Sequence, residues 1–324
     1  MAKTIVFLTG ASGFLGSHIA AELLRAGYSV RASFRTRSKS DEFVKFFAEG
    51  QIQTCIVPDI TAPGAYDSHL ADCTYAIHCA SPYMFKIEDV AKDLIDPAVQ
   101  GTKEILRAVA ATPSVKRIVI TSSFASVINP FEGPRKGYTY TEEDWNPITT
   151  EQIGDNKIFG YLASKKLAEQ TAWEFLKQQS RQGEPFTLVT VCPPMIFGPA
   201  HPAANLSVAR LNESWAQLLA AVKGENSGPA RMPVFVDVRD AARIHVAALG
   251  QSTVPHSERF VVCGGKYTWQ AVRRIAQGHS VGKESLVEAD EFYSIDASKV
   301  EKMLGVEWTS LEDCVKDFKS ALGI

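Results

Sequence analysis

The amino-acid sequence predicts an α/β protein: a doubly wound, Rossmann-type parallel sheet with a smaller C-terminal domain. The first observation is a glycine-rich turn that joins an apolar, strand-like run to a helical pattern within residues 5–25. The second is that short apolar runs alternate with helical patterns as far as about residue 193, as the βαβ units of a parallel sheet require. Beyond that point the alternation weakens. Residues 194–324 are therefore predicted to form the smaller domain, with segments near 234–262 crossing back to residues 1–193.

The glycine-rich turn follows the first predicted strand at intervals that suit a dinucleotide phosphate. Gly10 lets the chain turn off the strand, Gly13 lets the backbone approach a pyrophosphate, and Gly16 lets the helix lie close to the strand. The start of the helix offers unpaired N–H groups and the positive end of its dipole to the phosphates. An ordinary strand-to-helix turn is the alternative, which the strand before the triplet and the helix after it disfavour.

Length and composition restrict the class of protein. The 324 residues can bury a large core, and 45% hydrophobic with 22% charged residues is ordinary for a soluble globular protein. The formal net charge of −2 gives no reason to expect nucleic acid or an anionic membrane as a partner. No apolar run approaches the length that spans a bilayer, and a signal peptide would have to include the glycine turn, so we expect a cytoplasmic protein. The six cysteines lack metal-ligand spacing, so buried free thiols and no metal site are predicted.

Basic residues follow the second predicted strand, residues 29–34. In a dinucleotide-binding fold the end of this strand faces the adenosine ribose, where an acidic residue binds the 2′-hydroxyl of NAD and an arginine suits a 2′-phosphate. Here the first acid, Asp41, comes after three basic residues, and Arg35 and Lys39 are the best candidates to bind a 2′-phosphate. The sequence therefore predicts NADP(H). A solvated basic loop is the alternative.

The carboxyl ends of the other predicted strands supply further cofactor candidates, because these ends line the crevice in which open α/β sheets bind ligands. The third strand, residues 53–57, leads to Asp59, and the fourth, residues 75–79, leads to Ala80. His78 lies inside the fourth strand and is predicted to be a core residue. The fifth strand, residues 115–123, is followed by a long aromatic loop of residues 124–155, and loops of that length in compact domains are usually functional.

A tyrosine and a lysine lie four residues apart on the next predicted helix, residues 159–176, and so share one face of it. Such a pair occurs by chance on many solvated helices, but Tyr161 and Lys165 follow a nucleotide site and a strand that ends in Ser122-Ser123. An unperturbed tyrosine, with a pKa of about 10, is a poor acid–base catalyst near neutrality. A cationic lysine and an oxidised nicotinamide would lower that pKa by stabilising the phenolate, and a serine hydroxyl would orient a carbonyl oxygen.

Together these residues resemble the extended short-chain dehydrogenase/reductase family. The resemblance is to its dihydroflavonol reductase-like branch, and there to the fungal NADPH-dependent methylglyoxal and isovaleraldehyde reductases, which act on aldehydes and ketones. It implies that Ser123 polarises the substrate oxygen, that Tyr161 donates the proton, and that Lys165 lowers the tyrosine pKa and binds the nicotinamide ribose. The implied cofactor-binding set is Gly10, Ser12, Gly13, Phe14, Leu15, Gly16, Arg35, Lys39, Asp59, Ile60, Ala80, Ser81, Pro82, Thr121, Tyr161, Lys165 and Pro193.

One departure from the family pattern concerns residue 98. Many members have an asparagine before a Val-x-Gly-Thr sequence to support a proton relay, and this chain has Ala98 there. The departure bears on the relay and leaves the Ser-Tyr-Lys set intact.

The implied reaction is hydride transfer from NADPH to the carbonyl carbon of an aldehyde, ketone or keto ester, with NADP bound by the larger domain and the substrate by the smaller one. Two alternatives remain: a non-enzymatic NADP(H)-sensing regulator on the same fold, and a nucleotide-sugar epimerase or dehydratase. The expected partner is a small carbonyl compound, and the chain is expected to be a monomer or a homodimer. Apolar residues are predicted to line the substrate cleft, although each also suits plain core: Tyr83, Phe85, Phe124, Phe131, Met195 and Phe235.

Overall fold

The computed structural model describes residues 4–81, 87–179, 186–204, 213–225, 228–250 and 252–324. In chain order the strands of this part are β1 (Ile5–Thr9), β2 (Ser29–Phe34), β3 (Ile52–Ile56), β4 (Cys73–His78), β5 (Arg117–Thr121), β6 (Thr139–Tyr140), β7 (Thr187–Cys192), β8 (Met195–Phe197), β9 (Val234–Asp237), β10 (Glu258–Val261), β11 (Gly265–Lys266) and β12 (Ser294–Ile295). The central sheet is parallel, with the order β3-β2-β1-β4-β5-β7-β10. The predicted doubly wound, Rossmann-type sheet is confirmed.

Helices cover both faces of the central sheet, because successive side chains of a strand point to opposite faces. In chain order the α-helices are α1 (Phe14–Arg25), α2 (Arg37–Val44), α3 (Asp96–Ala110), α4 (Lys157–Gln179), α5 (Glu213–Val222), α6 (Val238–Ala247), α7 (Trp269–Ala276), α8 (Val287–Asp290), α9 (Ser298–Leu304) and α10 (Leu311–Leu322). Val6 and Leu8 of β1 pack into the core shared with α1 and α6. Phe7, between them, packs into the core shared with α3 and α4.

The residues after 193 form a second, smaller sheet but also contribute to the central one. Strand β9 pairs with β8 in parallel and with β11 in antiparallel. Strand β10 extends the central sheet beyond β7, and α6 packs against α1. The hydrophobic core is continuous from Leu8 of the central sheet to Phe235 of the smaller one. The division of the chain into two domains stays a prediction. Among the described residues, no helix combines the length and the apolar character that crossing a membrane would require.

The strand order reverses between β1 and β4, and this is where a crevice opens at the carboxyl ends of the strands. The side chain of Thr9 ties these two strand ends together. Its hydroxyl accepts hydrogen bonds from the backbone N–H groups of Cys79 and Ala80, at 3.2 and 3.1 Å, and lies 2.9 Å from Nδ1 of His78. His78 is 4% exposed, so its predicted place in the core is confirmed.

Candidate active site

Glycines at the first strand-to-helix turn bring segments of backbone into direct contact. Gly10 has a φ of +72°, and a Cβ there would lie 2.7 Å from the backbone nitrogen of Ala80. A Cβ on Gly16 would lie 2.1 Å from the carbonyl oxygen of Gly10. Only glycine fits either position, so α1 begins directly against the ends of β1 and β4.

The N-terminus of α1 has the properties of an anion site. Gly13 is its N-cap, no side chain caps the helix, and its first turn carries no acidic residue. The first N–H groups of a helix lack intrahelical partners, so this end suits a phosphate. Phe14 and Leu15 are 5% and 6% exposed and belong to the hydrophobic core. Ser12 is half-buried beside the exposed Gly13.

The residues predicted to bind a 2′-phosphate lie beyond the end of β2. Arg35 is exposed, and the backbone N–H of Lys39 donates to the capping hydroxyl of Thr36 at 3.4 Å. Asp59, beyond β3, accepts hydrogen bonds from the hydroxyl and the backbone N–H of Thr61, at 2.7 and 2.8 Å. These bonds hold the pKa of Asp59 below its ordinary value, and the positive charge of Arg35 lowers it further. Arg35 and Asp59 therefore lie near one another at this edge of the crevice.

Ser123, Tyr161 and Lys165 converge at the carboxyl end of β5. The Ser123 hydroxyl accepts a hydrogen bond from the backbone N–H of Ala125 at 3.1 Å, which leaves its own proton free to donate to the hydroxyl of Tyr161. The Lys165 ammonium donates to the Ser81 hydroxyl at 3.0 Å and lies 5.8 Å from the centre of the Tyr161 ring. Strands β4 and β5 are neighbours, so the residues that follow them, Ser81 and Ser123, both lie beside α4. The structure thus brings together the predicted catalytic side chains.

The surroundings shift the pKa values of the tyrosine and the lysine. Desolvation raises the pKa of Tyr161, the Ser123 hydroxyl lowers it, and the carboxylate of Glu213 raises it again. Because 43% of the Tyr161 surface is exposed, this desolvation is incomplete. Burial lowers the pKa of Lys165. The pKa of Tyr161 therefore lies above its ordinary value, and the Lys165 ammonium is bonded to Ser81.

A small cavity of about 30 Å³ lies behind these side chains, between α3 and α4 and the ends of β4 and β5. A space of this size holds about one water molecule. Five residues predicted to bind the cofactor line this cavity: Ile60, Ala80, Ser81, Thr121 and Lys165. Glu169 of α4 also lines it.

The profile of the NAD dependent epimerase/dehydratase family matches residues 6–263. This range covers the central sheet, the glycine turn and the Ser-Tyr-Lys set. The chain belongs to that family. The resemblance to the extended short-chain dehydrogenases/reductases is thereby confirmed.

Relatives of this epimerase/dehydratase-family protein align over almost its whole length. The NADPH-dependent methylglyoxal reductase of Saccharomyces cerevisiae is 33% identical over 98% of this chain and 97% of its own. A ketoreductase of Aspergillus niger is 33% identical over 96% of this chain and 95% of its own.

Solved structures share the fold from end to end. Gre2 from Candida albicans, solved in complex with NADPH, has a TM-score of 0.90 at 29% identity and covers 99% of this chain and 98% of its own. Vestitone reductase from alfalfa has a TM-score of 0.78 at 26% identity, with 99% and 98% of the two chains covered.

Two residues predicted to line the substrate cleft lie in the core of this family member. Phe124 is fully buried and packs edge-to-face on Tyr140, because the chain turns inward directly after Ser123. Phe235 of β9 is 1% exposed and stacks on Phe197 of the neighbouring strand. For these two rings the contacts favour the alternative of plain core.

The other residues predicted to line the substrate cleft or to follow the strand ends at the cofactor differ in their exposure. Phe131 is 47% exposed and packs edge-to-face on Phe159 near the start of α4. Met195 is half-buried, with its sulfur 3.7 Å from the hydroxyl of Ser214. The carbonyl of the buried Pro193 accepts from the backbone N–H of Phe124 at 2.8 Å. Pro82, Tyr83 and Phe85 lie outside the described residues.

Sequence reasoning missed several polar residues next to the site. Nε2 of His245, on α6, lies 2.9 Å from the hydroxyl of Thr121, whose side chain is thereby engaged in the core. Glu169 is completely buried and paired with Arg259 of β10. Its signal in the sequence was the step of four residues beyond Lys165, which places it along the same side of α4. No local signal identifies Arg259, because 90 residues separate it from Glu169.

Proposed function

We propose that the protein is an NADPH-dependent carbonyl reductase, which reduces an aldehyde, a ketone or a keto ester to an alcohol. The observation that carries the proposal is the convergence of Ser123, Tyr161 and Lys165 at the carboxyl edge of the sheet, beside the uncapped start of α1. The relatives support it, since they include an NADPH-dependent methylglyoxal reductase and a ketoreductase. We assign cofactor binding to residues 1–193 and substrate binding to residues 194–324.

The residues of the crevice fit a dinucleotide phosphate. Within the described part of the chain, a Cβ built on Gly13 would meet only the carbonyl oxygen of Gly10, at 3.2 Å. The backbone is therefore open at this point, and the N–H groups of α1 would bind the pyrophosphate. The planar guanidinium of Arg35, with Lys39 nearby, would bind the 2′-phosphate. Lys165 would bind the nicotinamide ribose.

When bound, NADPH would supply the hydride that adds to the carbonyl carbon. The Ser123 hydroxyl would hold the carbonyl oxygen by a hydrogen bond, and the Tyr161 hydroxyl would give its proton to that oxygen as negative charge develops on it. A phenol is protonated at neutral pH, as this direction of the reaction requires. Proton transfer would leave a phenolate, which the Lys165 ammonium, 5.8 Å from the ring centre, would stabilise.

The first test is Tyr161→Phe, which removes the proton donor and keeps the ring. NADPH consumption with a panel of α-dicarbonyls, aldehydes and β-keto esters should be abolished, whereas NADPH binding should stay nearly intact. Tyr28→Phe is the matched control, since Tyr28 follows the other end of α1 and packs on Tyr75. An active Tyr161→Phe protein would show that the proton donor is misassigned.

The second test concerns the choice of cofactor. Arg35→Ala should weaken the binding of NADPH far more than that of NADH, because only NADPH carries the 2′-phosphate. Arg25→Ala, which removes an exposed arginine from the opposite end of α1, should change neither. Equal losses for both cofactors in Arg35→Ala would contradict the 2′-phosphate assignment.

A wild-type protein that binds NADPH but consumes it with no member of the panel would favour the regulator. Tightly retained NAD with turnover of a nucleotide sugar would favour an epimerase or dehydratase.

A further inference from the structure

A buried carboxylate that takes no part in the proton transfer lies in the wall behind the site. Glu169 is on α4, eight residues beyond Tyr161 and four beyond Lys165, and its side chain is completely buried. A helix rises about 1.5 Å per residue, so this carboxylate sits about 12 Å along α4 from the catalytic tyrosine. Charged groups at that depth need several partners to be tolerated.

The carboxylate of Glu169 is saturated with donors. Oε1 accepts from Nε of Arg259 at 2.8 Å and from the hydroxyl of Thr190 at 2.8 Å. Oε2 accepts from the hydroxyl of Ser122 at 2.7 Å and from Nη2 of Arg259 at 3.2 Å. The hydroxyl of Ser126 lies 2.5 Å from Oε2. Burial alone would raise the pKa of this carboxyl, but Arg259 and the hydroxyls more than reverse that effect and hold it below its ordinary value.

Two of these donors flank the catalytic serine. Ser122 directly precedes Ser123, and Ser126 ends the short 3₁₀ turn that Ser123 begins. The Ser126 hydroxyl also lies 2.7 Å from the carbonyl oxygen of Ser123, so its single proton is shared between that carbonyl and the Glu169 carboxylate. The segment that carries the serine is thus attached to the helix that carries the tyrosine through one carboxylate.

Arg259 extends the same network to the long loop after β5. Its Nη1 donates to the backbone carbonyls of Glu142 and Asp144, at 2.7 and 2.6 Å. Its guanidinium lies over the ring of Trp145, 3.8 Å from the ring centre. One buried ion pair therefore joins α4, the Ser123 turn, β7, β10 and the loop that follows the site.

We propose that Glu169 and Arg259 are positioning residues: their ion pair holds the Ser123 turn against α4 so that the Ser123 hydroxyl keeps its place beside the Tyr161 hydroxyl. The proposal rests on the proposed reductase function. The physical reason is that hydrogen bonds to a charged group are short and directional, whereas the apolar contacts around them allow sliding. Displacement of a reacting group by about 1 Å can lower a rate by about 100-fold.

Three variants test this role. Glu169→Gln keeps the shape of the side chain but removes its charge. It also replaces one carboxylate oxygen, an acceptor, with an NH₂ group, a donor that would face other donors. The double variant Glu169→Leu/Arg259→Met replaces both charges by apolar groups, an exchange that is often neutral or stabilising for buried ion pairs. The control is Arg117→Met. Arg117 is a fully buried arginine at the opposite end of β5, where it donates to Thr187 and to the carbonyl of Ala248.

If Glu169 and Arg259 act by positioning, thermal stability and kcat should change independently among the three variants. Glu169→Gln should lower kcat by about 100-fold and leave NADPH affinity unchanged. The double variant should be more stable than Glu169→Gln, because it leaves no buried charge unpaired, without regaining kcat. Arg117→Met should lose stability and keep kcat. The role is structural and the proposal fails if the double variant regains both stability and kcat, or if Glu169→Gln keeps wild-type kcat. If Glu169→Gln does not fold, the kcat of the double variant decides between a positioning and a structural role.

A titration of the tyrosines by ultraviolet difference spectroscopy needs no substrate and separates this proposal from the proposed function. The signal of Tyr161 is identified by its loss in Tyr161→Phe. Because the Ser123 hydroxyl lowers the pKa of Tyr161, displacement of Ser123 should move this titration to higher pH in Glu169→Gln and in the double variant, as in Ser123→Ala. An unchanged titration would overturn the positioning role, whatever the substrate of the protein is. A shifted titration in a protein that reduces no carbonyl compound would overturn the reductase function alone.

Discussion

Gly160 immediately precedes Tyr161, the proposed proton donor, on α4, and its lack of a side chain lets the helix pack closely on Val90. A Cβ at this position would lie 2.1 Å from Cγ1 of Val90 and 3.4 Å from Cδ1 of Leu94. Carbon atoms pack best at about 3.5–4.0 Å, so in Gly160→Ala the helix α4 and Val90 must move apart by about 1.5 Å. Since Tyr161 is the next residue, the same movement shifts the phenol relative to Ser123.

Two opposing effects set the stability of Gly160→Ala. Alanine is favoured over glycine within a helix by about 1 kcal/mol. Overpacking of a well-packed core costs about 1–3 kcal/mol, and the stiff, β-branched Val90 has little freedom to move aside. We expect a net loss of about 1 kcal/mol in the free energy of unfolding, and a larger effect on turnover, of up to about 100-fold in kcat.

Urea unfolding and NADPH-dependent turnover measure these two effects separately. The second-site variant Gly160→Ala/Val90→Ala removes the methyl group that the new Cβ meets, and it should recover most of kcat. If Gly160→Ala is as stable and as active as the wild type, or if Val90→Ala brings no recovery, the close packing of α4 does not position the tyrosine.

Two other predictions concern charge. Glu213→Gln removes the carboxylate that raises the pKa of Tyr161, so this pKa should fall; because reduction needs the protonated phenol, the loss of kcat at high pH should begin at a lower pH. The second prediction concerns His78 and His245, whose pKa values burial lowers from 6.5 to about 4. The unfolded chain binds protons more readily at these sites, so their contribution to stability is complete above pH 6.5 and is lost as the pH falls towards 4. The loss should be at most about 1.4 kcal/mol per pH unit for each histidine.

Matched variants make both charge predictions decisive. Glu312→Gln, on α10 where Glu312 pairs with Lys316, should leave the pH profile of kcat unchanged. A profile that is the same in Glu213→Gln and the wild type would mean that Glu213 does not influence the phenol. For stability, urea unfolding across this pH range should show a shallower slope in His245→Gln than in the wild type. Equal slopes would rule out titration of His245 as a cause of acid destabilisation.

The local features of the site could be predicted from the sequence because they depend on residues close together in the chain. The spacing of Gly10, Gly13 and Gly16 between a strand and a helix predicted a turn that has no room for a Cβ at its first and third glycines. A step of four residues predicted that Tyr161 and Lys165 share one face of α4. The alternation of strands and helices predicted a parallel sheet, since each crossover in such a sheet needs a helix.

Only the tertiary structure decided which of the remaining side chains meet at the site. Phe124 and Phe235 looked equally suited to cleft and core in the sequence, because an aromatic ring is used in both, and contacts with Tyr140 and Phe197 place them in the core. Arg259 reaches Glu169 across 90 residues of chain, and a pairing over that distance leaves no periodic signal. The sequence by itself determined the glycine turn and the shared face of Tyr161 and Lys165, since both depend on local backbone geometry. The burial of Glu169 and its pairing with Arg259 depend on the pairing of β10 with β7 in the central sheet. Burial and pairing of this kind are properties of the packed chain, so only the tertiary structure shows them.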